Sequence, residues 1–214
     1  MRVVLAVVLC AATPVWASAQ TAPATLPAND FIIALGWSGA EHKIYEDRRW
    51  QGSLLVGASG GHYWTDHLKT EIDASWNSPR DRDIYQTIQQ QGGFTYALAD
   101  YRARDVRVGV AQVFQFGRNT WVHPYVGIGA DVVRRQSTLE RDRQSRFIYL
   151  QNRTIPVDIP ATVENKTTVF AQGVVKTGLK MYVTEKAFFN TELKFGLRRD
   201  VDHVVWKFGM GFDF

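Results

Sequence analysis

The stretch "VVWKFGMGFDF", residues 204–214, decides the reading of this chain. Trp206, Phe208, Met210, Phe212 and Phe214 occupy every second position, and Val205, Lys207, Gly209, Gly211 and Asp213 lie between them. A period of two is the period of a β-strand, so the first set shares one face and the second shares the other. One face is large and apolar; the other is small or charged. A soluble sheet would bury the apolar face, whereas a membrane barrel would turn it outward to lipid. The stretch fits both, and the rest of the chain has to choose.

The start of the chain narrows the choice. "MRVVLAVVLCAATPVWASAQ" carries one Arg, an apolar run from Val3 to Ala12 and the small-x-small sequence Ala17-Ser18-Ala19, the form of a secretory signal peptide over residues 1–19. Residues 20–29, "QTAPATLPAN", read as a short leader, and 30–214 as the folded domain. The single cysteine, Cys10, lies in the signal and follows Leu9, which is too large for a lipoprotein site. The exported chain therefore has no cysteine and no disulfide, although its compartment is oxidising. The formal net charge of +4 falls by one with Arg2, too mild a balance to suggest nucleic acid. Beyond the signal no apolar run approaches the roughly 18 residues of a membrane helix. A membrane crossing would have to be made with strands.

The alternation of 204–214 recurs along the chain. "DFIIALGWSG" (30–39) sets Phe31, Ile33, Leu35 and Trp37 against smaller residues. Residues 53–64 meet 68–76 across Thr65-Asp66-His67; 105–116 meet 120–133 across Gly117-Arg118-Asn119; 168–182 meet 187–198 across Val183 to Lys186. These are hairpin turns. The intervening segments 39–52, 77–93 and 134–166 are long, polar and charged, while 199–203 is short. Residues 94–116 exceed one crossing and read as a single strand rising beyond the bilayer. The count is eight strands, which returns both ends to one side, and no interval carries a convincing helix.

Collecting what each strand's large apolar set leaves behind settles which face is wet. The remainder holds Lys69, Glu71 and Asp73; Arg107; Gln172, Lys176 and Lys180; Glu192 and Lys194; and Lys207 and Asp213, with many glycines between. Glycines are out of place on a solvated sheet face, but they fit the bore of an eight-strand barrel, just wide enough for side chains to fill it. The other face then meets lipid, with Trp37, Trp64, Trp76, Trp121 and Trp206 as candidate interfacial girdle residues. Lipid satisfies no open strand edge, so the sheet must close. The expected fold is all-β: an eight-stranded antiparallel up-and-down transmembrane β-barrel.

On these residues the chain resembles the small eight-stranded outer-membrane barrels of Gram-negative bacteria, the group that includes the OmpA transmembrane domain, OmpX and the opacity-type porin-like proteins. The closing strand "WKFGMGFDF", the glycine-rich "HPYVGIGADV" (123–132) and the turn "YWTDHLKTEI" carry the likeness. The resemblance implies an outer-membrane location with periplasmic ends, short periplasmic turns and long external loops. It also implies that Trp206, Phe208, Met210, Phe212 and Phe214 form the signal read by the barrel-assembly machinery. The two-domain form of the group continues into a peptidoglycan-binding domain, which is not expected after Phe214.

Catalytic and metal chemistry find little support in the residues. A lipid A deacylase would need Ser and His together on a late strand, with a carboxylate orienting the His. No serine follows Ser145, and His203 reads as a polar loop residue. His62, His67 and His123 show no metal-ligand spacing, and "GASGG" (57–61) precedes no helix that would make it a phosphate loop. "NRT" (152–154) and "NKT" (165–167) match a glycosylation pattern that is incidental in a bacterial envelope. No cofactor is expected. The inward charges Lys69, Glu71, Asp73, Arg107, Lys176, Lys180, Glu192, Lys194, Lys207 and Asp213 are expected to pair as a salt-bridged plug. Arg48 and Arg49 in "YEDRRW" and Arg134 and Arg135 in "RRQSTLERDRQSR" are candidates for lipopolysaccharide phosphates, as forked donors beside the bilayer. The function expected is that of a monomeric, non-enzymatic barrel with a structural or surface-interaction role. A narrow passive channel and a lipid A modifying enzyme stand as the alternatives.

Overall fold

The computed structural model describes residues 28–44, 47–79, 82–90, 93–117, 121–150, 153–198 and 201–214. Residues 1–27, the expected signal segment and all of the expected leader before Ala28, lie outside them. Eleven strands follow in order: β1 Asn29–Ile44, β2 Asp47–Tyr63, β3 Leu68–Pro79, β4 Arg82–Gln90, β5 Gly93–Gln115, β6 Val122–Arg141, β7 Gln144–Leu150, β8 Arg153–Ile159, β9 Thr162–Tyr182, β10 Ala187–Leu197 and β11 Val201–Asp213. Eight of them pair antiparallel in a ring, β1-β2-β3-β5-β6-β9-β10-β11, and β11 pairs with β1 again. Every ring strand has a neighbour on both sides, as strands in lipid require.

The closing seam is set by the C-terminal stretch, β11, which pairs with β1. Phe31 lies opposite Phe212, Ile33 opposite Met210, Leu35 opposite Phe208 and Trp37 opposite Trp206. All eight side chains are exposed on the outer wall. Around the ring the same band continues through Leu54, Val56, Ile72, Trp76, Val106, Val108, Val110, Phe114, Val126, Ile128, Val132, Leu179 and Leu193, all exposed. Trp64, Trp121 and Phe214 edge it at the short-turn end; Trp37, Trp76 and Trp206 edge it at the other. A soluble domain buries its apolar residues and wets its charges. Here the order is inverted, and among the described residues the apolar clusters inside are small, such as that of Ile32, Ala34 and Phe188.

The polar intervals differ from expectation. Residues 39–52, 77–93 and 134–166, read as loops, are largely strand. β1 continues to Ile44 against β2, β6 runs to Arg141 against β9 up to Thr162, and "YQTIQQQ" lies mostly in β4, paired with the start of β5. β7 and β8 form a separate hairpin. A β-ladder needs main-chain partners rather than apolar side chains, so loss of the apolar face marks where a strand leaves the bilayer and not where it ends. β5, with 23 residues, is roughly 75 Å long, far beyond the band it crosses.

Candidate functional site

Among the described residues, strand period delivers fourteen charged side chains to the bore. Odd-numbered residues of β3, β5 and β6 point inward, as do even-numbered residues of β1, β9 and β10 and odd-numbered residues of β11. All ten residues read from the sequence as inward charges are buried. They stack in layers. At the short-turn end Asp30 accepts from Lys69 at 2.8 Å and Lys180 at 2.5 Å, and Lys180 also donates to Tyr63 Oη at 2.7 Å and reaches Asp213 at 3.4 Å. Above it Glu71 binds Lys176 at 2.5 Å and Lys69 at 2.6 Å, and Glu192 binds Lys207 at 2.7 Å. Tyr125 Oη lies 3.1 Å from Glu192.

The third layer is one lysine between two carboxylates. Lys194 Nζ lies 2.9 Å from both oxygens of Asp73 and 2.7 Å from Asp131 Oδ1. Gly109 makes the space: a Cβ there would sit 2.0 Å from Asp131 Oδ1. At the open mouth Asp105 binds Arg107 at 2.6 Å and takes Nε and Nη2 of Arg135 at 2.9 and 3.0 Å. Seven cations thus face seven carboxylates in these pairs, and their charges cancel. In a low-dielectric bore such pairing offsets the cost of stripping water from each ion.

Four members of this network were not assigned to it from the sequence. Asp30, Asp105 and Asp131 share inward parity with residues that were, so the signal was present in "DFIIALGW", "DVRVGV" and "VGIGADV". Arg135 is the fourth, and it corrects an expectation: it does not face lipopolysaccharide but turns into the mouth onto Asp105. Neighbours on a strand point to opposite faces, so Arg134 and Arg135 cannot both face outward. Arg134 is exposed on the outer wall. The side chains of Arg48 and Arg49 lie outside the described part of the structure.

His203 is a second correction. It lies not in a loop but buried on β11, which begins at Val201 and carries 203, 205 and 207 inward. Its Nε2 is 3.0 Å from Ser38 Oγ on β1, with Arg107 Nη1 3.4 Å from the same oxygen. The Ser-His pairing sought late in the chain thus arises across the closing seam. Ser38 is 0% exposed and faces the bore, away from any acyl chain at the wall. Among the described residues no cluster of His, Cys, Asp or Glu is arranged to hold a metal ion.

The outer wall carries its own charge just above the apolar band. Arg102 and Arg104 project outward from β5 above Val106, and Arg134 lies opposite Val106 on β6. Beside them runs a shallow groove of about 480 Å³ lined by Arg102, Arg104 and Lys166 with Ser78, Gln136 and Thr138, and no carboxylate lines it. In the sequence Arg102 and Arg104 stand out only as part of a strand continuation, yet the period of two in "YRARDV" places both on one face.

Comparison with known proteins places this geometry. The family described as outer membrane protein beta-barrel domain matches residues 3–214. Among solved structures the chain is similar to Ail, the attachment invasion locus protein of Yersinia pestis, at 11% identity and a TM-score of 0.50, covering 87% of this chain and 99% of that one. It is also similar to OprG from Pseudomonas aeruginosa, at 14% identity, TM-score 0.48 and coverage of 88% and 97%. Neisserial surface protein A gives 13% identity, TM-score 0.49 and coverage of 86% and 97%. No curated protein matches the chain significantly.

Proposed function

Since the chain belongs to the outer-membrane protein β-barrel family, we propose that it is a plugged, non-enzymatic barrel of the bacterial outer membrane that acts through its wall and external strands rather than its bore. The observation that carries this reading is the bore itself: seven ion-paired cations and seven carboxylates fill it from Asp30 and Lys180 at one end to Asp105 and Arg135 at the other. In this reading residues 1–19 are a cleaved signal, both ends and the short turns are periplasmic, and the barrel is a monomer. Trp206, Phe208, Met210, Phe212 and Phe214 engage the assembly machinery. Arg102, Arg104 and Arg134, placed where apolar wall gives way to water, supply forked donors to lipopolysaccharide phosphates.

Planar-bilayer recording of the purified protein tests the plug, with no discrete conductance expected. Stepwise openings that disappear in Glu192→Gln or Lys176→Met would replace this reading with a narrow channel. Mass spectra of lipid A from overexpressing cells should be unchanged; a lost acyl chain would establish enzymatic activity instead.

A further inference from the structure

The lipid-facing wall is not uniform. Along β2 the outward positions run Val56, Ala58, Gly60, His62, and Gly60 lies between Phe31 on β1 and Ile72 on β3. A Cβ built on Gly60 would find only Asp30 O within reach, at 3.7 Å, so the wall steps back into open space there. Phe31, Ile72 and Trp64, all exposed, form the sides of the resulting groove of about 640 Å³. Its apolar walls suit a hydrocarbon chain.

One end of this groove is polar. His62 Nδ1 lies 2.9 Å from Asn29 Oδ1. An amide oxygen only accepts, so Nδ1 is a donor here, which makes Nε2 the one ring atom that can accept a hydrogen bond. The ring packs edge-on against Trp64, with centroids 4.7 Å apart. Trp64 Nε1 and Gln112 Nε2 each donate to Thr70 Oγ1 at 2.7 Å. A hydroxyl that accepts two hydrogen bonds has its own proton left to donate. Gln112 is itself exposed on the wall between Val110 and Phe114, where an unpartnered amide would be costly. Thr70 is two residues from the start of β3, roughly 7 Å from the strand end, the depth of a headgroup and glycerol backbone. The groove thus ends in one donor and one acceptor at interfacial depth.

We propose that this groove retains one zwitterionic phospholipid, an acyl chain lying over Gly60, its phosphate or ester oxygen on Thr70 Oγ1–H and its ammonium on His62 Nε2. The site rests on the orientation proposed above, which puts the short turns in the phospholipid leaflet. The test is native mass spectrometry of the full chain in mild detergent, titrated separately with phosphatidylethanolamine, phosphatidylglycerol and lipid A. Wild type should hold one phosphatidylethanolamine in preference to the other two. Gly60→Leu, which fills the trough, and the double variant His62→Ala/Thr70→Val should each weaken retention about tenfold, the scale of one lost hydrogen bond or buried contact. Ala130→Leu, outward on β6, should leave retention unchanged. Heat-modifiable migration checks that each variant folds, and the double variant alters only side chains if Gly60→Leu does not. Equal retention in wild type and both variants overturns the proposal, as does a dimer lost in Gly60→Leu with no lipid bound. A preference for lipid A at this groove overturns the orientation and the phospholipid assignment together, whereas binding of no lipid overturns the groove alone.

Discussion

Replacing Lys194 by Met keeps most of its volume and removes the charge that holds Asp73 and Asp131 together. A Cβ on Gly109 would lie 2.0 Å from Asp131 Oδ1 and 3.0 Å from Asp73 Oδ1, so these two oxygens are at most about 5 Å apart. Two unit charges at that distance repel by about 3 kcal/mol at an effective dielectric of 20. Removing one partner from a buried ion cluster costs about 3–5 kcal/mol on general grounds, so the two estimates agree. Lys194→Met should therefore destabilise the folded barrel by about 3–5 kcal/mol. The assay is reversible urea unfolding in detergent or thin vesicles, followed by heat-modifiable migration and tryptophan fluorescence. Adding Asp73→Asn to Lys194→Met should recover a large part of the loss, because only one carboxylate is then left without its cation. A loss below about 1 kcal/mol in the single variant, with no recovery in the double, would mean that water screens the bore and that the pairing adds little.

Three further outcomes are expected. Gly109→Ala should cost about 1–3 kcal/mol in the same unfolding assay, because its methyl group must displace Asp131 from Lys194. Replacing Arg102, Arg104 and Arg134 together by Ala should lower co-purification with lipopolysaccharide and flatten its dependence on salt, while stability stays within about 0.5 kcal/mol; undiminished co-purification would remove these arginines from the site. Beyond the apolar band, Asp83 on β4 and Asp100 on β5 are directly opposed, and their shared hydrogen bond raises the Asp100 carboxyl above its ordinary value. The folded form therefore holds the proton more tightly than the unfolded form. Its contribution is fully present below the ordinary carboxylate range and is lost as pH rises through the raised value. Amide exchange in β4 should accelerate over that window, and Asp100→Asn should abolish the change.

How much of this was legible in one dimension depended on what each feature requires. The eight ring strands and the inward parity of Lys69, Glu71, Lys176 and Glu192 follow from a period of two, a local property that side-chain types display directly. The extents of β1, β2, β6 and β9 were hidden because polar strands above the bilayer lose the apolar half of the alternation while keeping their ladder. Arg134 and Arg135 read as loop residues for the same reason: the apolar alternation ends at Val133, so the parity that turns Arg135 inward is not visible there.

By itself the sequence determined the class of fold and the inverted sense of its two faces, since alternation, glycine placement and the absence of cysteine after residue 10 are properties of the chain as a string. Only the tertiary structure decided partners. That Lys194 bridges Asp73 and Asp131, that His203 meets Ser38 across the seam and that Gly60 opens a groove between Phe31 and Ile72 depend on strand register and the closure of the ring. A shift of two residues keeps every side chain on its face yet changes every neighbour, so parity is written locally while pairing is settled by the whole barrel.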